Sequence, residues 1–436
     1  LQYVLQTRLL AVFFSFKLIT EFFITNIYYI ICILISSNIL GNNYFHVALV
    51  PLLQSMTYDT RTIMHFKGIF STTVVDNNAA KEHVARMQLH DNPTSTGLTQ
   101  PFTVEEIANI TMSLQKRKSP GHDNRVSEHI LNALIQPVNE VLAMRSTRHI
   151  FVHERIPVAW KTSVVIPIYK CKEKSKTDPN SYRLIPLIPV FCKVFERAIL
   201  NRINSHLLTN RIPFPNPQHH GFQKGLSCIT AAFNLQETIF HQIERASNAY
   251  VTFLDQKAAF DSVNHECLFM KLSILGTSGK LLRILRSTYE DLTANVRICG
   301  MTSESIVVMK GRYTNGVMSS FYYLVYINEL LNTLELSNPA ACVMSTNVGN
   351  PSFAEDLALV AIVPSKLQKH RVQILRTWHI DVNVTKSATV VYTSKKANHI
   401  QTGIMYGNAF IEQDDHAIHL GIRQDSNLHM IAMLYI

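Results

Sequence analysis

Three carboxylates stand out because each adjoins an apolar, strand-like run. Asp255 ends Tyr250-Val251-Thr252-Phe253-Leu254, and Glu355-Asp356 falls between Ser352-Phe353-Ala354 and Leu357-Ala358-Leu359-Val360-Ala361. A carboxylate in such a place must be solvated, paired or metal-bound, since an unpaired buried charge is expensive. Hard oxygen ligands with no His or Cys alongside favour Mg²⁺ over zinc. Two such ions roughly 3.5–4 Å apart, held by acids, activate an attacking 3′-hydroxyl and stabilise a leaving pyrophosphate in nucleotidyl transfer. An acidic turn with a solvated edge gives the same pattern, so residue type alone leaves both readings open.

The rest of the chain must supply a scaffold for these acids. It has 436 residues, 47% hydrophobic and 17% charged, enough apolar content for a sizeable core, which excludes disordered, collagen-like and disulfide-scaffold classes. The net charge of +10 is uneven: residues 111–230 hold 18 Lys/Arg against 7 Asp/Glu, leaving the remainder near neutral. A basic middle third points to a polyanion, nucleic acid ahead of a membrane, with a solvated lysine-rich surface as the alternative. The seven cysteines (32, 171, 192, 228, 267, 299, 342) form no CxxC pair and are odd in number, so neither a zinc ribbon nor a disulfide framework is expected. A reducing, intracellular compartment follows as the default.

Residues 9–40 are the one lipid-like stretch, and Phe22 to Leu40 carries no charge. A membrane span, a buried helix and translated non-coding sequence all fit it. The chain starts at Leu1 rather than Met, so its first residues do not read as an intact targeting segment. No domain is assignable within 1–100. From Pro101 the pattern becomes α+β: Thr103 and Glu106 form a capping box for a helix to about Leu114. A helix near 126–149, a strand 162–169, helices near 190–208 and 226–245, and the strand ending on Asp255 follow. Helical segments over 264–292, short strands near 294–299 and 304–309, a helix 317–334 and a strand pair around Glu355-Asp356 complete it.

In this order the motifs resemble those of the reverse transcriptases of non-LTR (LINE-type) retrotransposons, over about residues 100–430. Lys118-Ser119-Pro120-Gly121-His122-Asp123 is similar to the KSPGxD turn. Trp160, Val165-Ile166-Pro167-Ile168-Tyr169-Lys170 and Asp178-Pro179-Asn180-Ser181-Tyr182-Arg183 resemble the W…VIPIYK…DPxxYR fingers strands, and Gln218 to Gly225 the QxGFRxG element. Phe253 to His265 (FLDQKAAFDSVNH) is close to the first catalytic motif, FLDxxKAFDSVNH. Phe353-Ala354-Glu355-Asp356-Leu357 resembles FADDL, Asn383-Val384-Thr385-Lys386 the NxxK motif, and His419-Leu420-Gly421-Ile422 the YLGI turn.

The resemblance implies an RNA-directed DNA polymerase with a right-hand fold: fingers over 101–245, palm over 246–415, and 416–436 beginning the connection to a thumb that is largely missing. It makes Asp255 the first ligand of two Mg²⁺ ions, with Mn²⁺ as a substitute, puts Glu355 in the second ligand's slot, and places Asp356 beside it. Phe260 matches the aromatic gate that leaves no room for a ribose 2′-OH. Lys170 and Arg183 match the cations that hold the incoming dNTP triphosphate, Lys386 a proton donor near the pyrophosphate, and Asn315-Gly316 part of the grip on template and primer. The implied partners are an RNA template, a DNA primer and dNTPs.

The departures from the pattern carry their own expectation. Glu355 replaces an aspartate, and its extra methylene strains a geometry that Mg²⁺ tolerates poorly. Gly311 to Ser320 aligns with GVRQGxVLSP, with Thr314 for Gln, Asn315 for Gly and Ser320 for Pro. Leu184 and Gln223 replace a proline and an arginine. Weakened polymerisation is expected, with a catalytically inactive nucleic-acid-binding remnant of the same fold as the alternative. Asp261 reads as a structural cap, and His219-His220 and His416-x-x-His419 as ordinary histidines, since neither pair has a third ligand.

Overall fold

The computed structural model describes residues 81–82, 85–86, 96–132, 139–170, 175–245, 248–256, 263–298, 300–308, 316–337, 342–343, 346–347, 349–368, 382–393, 401–426 and 430–432. The chain divides into two compact units, Leu1–Phe66 with Glu173–Ser181, and Lys67–Lys172 with Tyr182–Ile436. The first is described only over 175–181, which ends in the 3₁₀ turn Pro179–Ser181. The apolar run 9–40 lies outside the described residues, among which no helix is long and apolar enough to cross a membrane. Everything below concerns the second unit.

Helix α1 (Val104–Met112) starts at the expected capping box: Glu106 N–H donates to Thr103 Oγ1 at 3.1 Å, and Thr103 N–H to Glu106 Oε2 at 2.8 Å. Of the helix expected over 126–149, the described residues are α-helical over Ser127–Asn132, π-helical over Val141–Thr147 and α-helical again over Arg148–His153.

The first sheet is built on β1 (Thr162–Tyr169), which pairs antiparallel with β2 (Tyr182–Leu187). Helix α2 (Val190–Thr209) follows, and its entry fixes one motif residue: a Cβ on Gly121 would lie 2.7 Å from Pro189 N and 2.8 Å from Ile188 C. Only glycine lets the KSPG turn rest on that backbone. Helix α3 (Cys228–Glu244) leads to β3 (Ala249–Asp255). The helical region expected over 264–292 resolves into α4 (His265–Ile274) and α5 (Gly279–Ser287). Strand β4 (Thr293–Ile298) then returns parallel to β1 in the first sheet, with Thr162 opposite Thr293.

After α6 (Ser319–Ser337) come β5 (Ser352–Phe353), β6 (Asp356–Ala361), β7 (Ala388–Tyr392) and β8 (Glu412–Gln413). These four join β3 in a second sheet of order β8-β7-β3-β6-β5. Its centre is apolar on both faces. Tyr250, Leu254, Leu357 and Leu359 pack against Tyr323, Ile327, Leu330 and Leu334 of α6. Val251, Phe253, Ala358 and Val360 pack against Leu235 and Ile239 of α3. Covering both faces explains why β3 reads as a continuous apolar run rather than an alternation. Beyond it, His416–His419 and Ile422–Asp425 form a hairpin whose turn residues Leu420 and Gly421 have φ of 55° and 74°, the conformation a two-residue hairpin turn demands.

Candidate active site

Antiparallel pairing of β3 with β6 sets Asp356 directly opposite Asp255, and Leu357 opposite Leu254. Residues directly opposite project to the same side of a sheet, with Cβ atoms about 4.5–5.5 Å apart. By the period of two, Asp255 shares its side with Val251 and Phe253, and Asp356 shares it with Ala358 and Val360. The two carboxylates therefore stand together where the apolar packing ends. Glu355 sits one residue earlier, in the turn joining β5 to β6, where its carbonyl accepts from Gln256 N–H at 3.3 Å.

The electrostatics follow from this crowding. The Asp356 carboxyl is pushed up to about 6, first by burial, then by Glu355 and Asp255, with Lys386 opposing. Tyr323 of α6 is raised above its usual value by burial and then by the Glu355 and Asp356 charges. Its hydroxyl donates to Ala354 O at 2.9 Å and lies 3.2 Å from Gln256 Oε1. Ala354 carries a left-handed φ of 50°, so this hydrogen bond holds a backbone conformation that a non-glycine residue adopts reluctantly.

The NxxK segment clasps Asp255 by its backbone as well as its side chain. Asn383 N–H donates to Asp255 O at 2.8 Å, and Asp255 N–H donates to Ser387 Oγ at 3.3 Å. The 3₁₀ turn Val384–Lys386 then brings Lys386 Nζ to 3.5 Å from Asp255 Oδ2.

The other face of the β5–β6 turn rests on the segment Gln218 to Phe222. Ser352 N–H donates to Gln218 O at 2.9 Å, His220 N–H to Ser352 O at 2.7 Å, and Asn350 N–H to Gln218 Oε1 at 2.7 Å. A Cβ on Gly221 would meet Ala354 N at 2.7 Å, so the motif glycine is where this segment touches the turn. His219 is buried, its Nδ1 2.9 Å from Ser352 Oγ, and burial with the neighbouring His220 lowers it to about 4. His220 bonds Thr230 and Asn234. His419, lowered to about 4 by burial, packs tilted against Phe253, with ring centroids 5.0 Å apart. These are core and near-core histidines, as the sequence suggested.

The remaining expected site residues are placed as follows. Arg183 lies on β2 opposite Ile168, and Lys170 follows the end of β1, so both cations belong to one end of that hairpin, in the first sheet. Gly316 lies just before α6, its carbonyl accepting from Ser319 N–H at 3.2 Å. Phe260, Asp261, Thr314 and Asn315 fall outside the described residues. Tyr323 and Ser387 were not singled out from the sequence. Neither belongs to the recognisable motifs, and only the folded register gives them their contacts.

Among the described residues no group of three or more His, Cys, Asp or Glu gathers into a metal cage. The geometry offers the Asp255–Asp356 pair with Glu355 on the adjoining turn. That suits Mg²⁺, which is commonly held by one or two carboxylates with substrate phosphates completing the shell. Burial raises Asp356 most, and the repulsion from Glu355 and Asp255 that adds to it is what a bound cation would relieve.

An α+β fold with a carboxylate pair at the end of a helix-covered sheet is the arrangement expected of a right-hand polymerase. Residues 172–422, more than half of the chain, match the family described as reverse transcriptase (RNA-dependent DNA polymerase), and the chain belongs to that family. It is 28% identical over 341 residues to the "Probable RNA-directed DNA polymerase from transposon BS" of Drosophila melanogaster, covering 76% of this chain and 36% of that protein. It is 26% identical over 339 residues to the "RNA-directed DNA polymerase from mobile element jockey" of Drosophila melanogaster, covering 75% and 35%. The expected likeness to LINE-type reverse transcriptases is thus borne out. A telomerase structure from Candida tropicalis aligns over 70% of this chain and 66% of its own, at 11% identity and a TM-score of 0.44. The chain spans about a third of the length of the curated relatives it matches. Reverse transcriptases as a family depend on divalent metal.

Proposed function

We propose that this chain carries out RNA-templated DNA synthesis at a site built on Asp255, Glu355 and Asp356. The observation that carries the reading is the cross-strand pairing of Asp255 with Asp356, with Lys386 3.5 Å from Asp255. The residues group as fingers over 101–245 and palm over 246–415, with 416–436 leading towards a thumb. Asp255, Asp356 and Glu355 would hold two Mg²⁺ ions, or Mn²⁺ in their place, which would supply activation of a primer 3′-hydroxyl and charge relief on a leaving pyrophosphate.

The chain's own groups do the rest. Lys170 and Arg183 hold the triphosphate of the incoming dNTP, the first as a point charge and the second as a planar fork. Phe260 closes the space beneath the sugar against a 2′-OH. Lys386 delivers a proton to the departing pyrophosphate. Asn315 and Gly316 contact template and primer, and the cations of 111–230 hold the nucleic-acid backbone. Polymerisation is weakened by Glu355, because about 1 Å of misplacement costs on the order of 100-fold in rate.

The test is primer extension on an RNA template with a DNA primer, dNTPs and Mg²⁺ or Mn²⁺, alongside Asp255→Asn. Slow, metal-dependent DNA synthesis that Asp255→Asn abolishes is expected, with primer–template affinity falling steeply as salt rises. Salt-sensitive binding without incorporation in either metal would overturn the polymerase reading in favour of an inactive nucleic-acid binder.

A further inference from the structure

We infer that Glu196, a buried acid of the helix α2, is a positioning residue for the template-grip element that opens α6. The side chain is 2% exposed, an unusual place for a glutamate, and its Oε2 accepts from Val317 N–H at 2.8 Å and Met318 N–H at 3.3 Å. Its Oε1 takes the weaker Cys192 thiol at 3.9 Å.

The contact answers a deficit written in the sequence. Tyr322 N–H donates to Met318 O at 2.9 Å, which makes Met318 the N-cap of α6. The first amides of a helix have no partner of their own kind, and a methionine has no side-chain oxygen to offer them. A carboxylate from more than a hundred residues earlier accepts from the amides leading into that end, where the positive end of the helix dipole also favours it. Three further features make this end of α6 matter. Gly316 precedes the capped amides, Ser319 N–H closes on Gly316 O, and Tyr323, one turn on, holds Ala354 of the catalytic turn. Glu196 therefore fixes the helix from which both the grip and the turn are held. Its importance to synthesis rests on the polymerase reading; the contact itself does not.

The experiment compares the chain with Glu196→Ala, Glu196→Gln and Ile199→Val, the last a truncation of a buried neighbour on the same helix that controls for global destabilisation. Losing a hydrogen bond to a charged acceptor should speed amide exchange in 317–322 by about tenfold or more in Glu196→Ala. Primer–template affinity should weaken several-fold, and Glu196→Gln, which keeps an acceptor oxygen, should recover most of both. Ile199→Val should change neither at equal global stability. Unchanged exchange in Glu196→Ala overturns the contact. Faster exchange with affinity no weaker than in Ile199→Val overturns the positioning role. A parent chain that binds no primer–template removes the polymerase reading and the positioning role together, while exchange still reports on the contact.

Discussion

The ammonium of Lys386 lies 3.5 Å from the Asp255 carboxylate, across the strand end from Asp356. The lysine side chain is 63% exposed, so the pair is screened by water and contributes little to holding the fold. On the proposed function its weight is in charge at the reacting centre. Lys386→Met should therefore leave the denaturation midpoint almost unchanged, within about 1 kcal/mol, while lowering the single-turnover extension rate by roughly 10²–10⁴-fold, the usual contribution of a general acid. An equal rate in the two proteins would remove Lys386 from the chemistry.

Glu355 and Asp356 should respond differently. Asp356 shares a cross-strand register with Asp255 and Glu355 does not, so Asp356→Asn should abolish extension. Glu355→Asp should raise it, and adding Thr314→Gln with Asn315→Gly should raise it further by restoring the family's template grip. Extension assays on all four proteins, with primer–template affinity measured in parallel, decide this. Full activity in the parent chain would refute the idea that Glu355 impairs it.

Gly221→Ala places a methyl 2.7 Å from Ala354 N, against backbone rather than a yielding side chain. Overpacking of this kind costs about 1–3 kcal/mol. Urea denaturation should report a loss of that size, and extension should fall further than the stability loss accounts for, because the displaced residue belongs to the turn that carries Glu355. A neutral substitution would mean that the Gln218–Phe222 segment is not the turn's support.

Stability should drop on mild acidification. His219 and His419 are both lowered to about 4 by burial, from an ordinary value near 6.5. Between those values the unfolded chain binds a proton on each that the folded chain does not, so unfolding is favoured progressively as pH falls from about 6.5 towards 4. His419→Gln should flatten part of that slope in melting temperatures recorded from pH 7 to pH 4.5. An unchanged slope would place the acid sensitivity in other groups.

Much of this was legible in the chain because the signals were local. Thr103 and Glu106 cap α1 as their spacing requires, and the apolar run 249–255 is a strand because it is buried on both faces. The motif glycines at 121 and 221 have concrete tasks, each lying against another segment's backbone. What escaped was non-local. Strand β7 was not foreseen because Ala388–Tyr392 is short and gains its place only beside β3. The preference for Asp356 over Glu355 opposite Asp255 is a matter of register, which no run of residues displays. Glu196 looked like any helix glutamate until the start of α6 arrived against it.

The central position of β3 also sets a schedule for synthesis. Thr252 and Thr389 share a 2.9 Å hydrogen bond although they lie 137 positions apart, so the strand carrying Asp255 leaves the ribosome long before its last neighbour. At about 5–20 residues per second, that wait is roughly 7–30 s. Throughout it, an apolar strand keeps at least one open edge, the state from which chains pair with the wrong partner. A product truncated before residue 388 never closes that edge. Such fragments should be found bound to chaperones or in inclusion bodies.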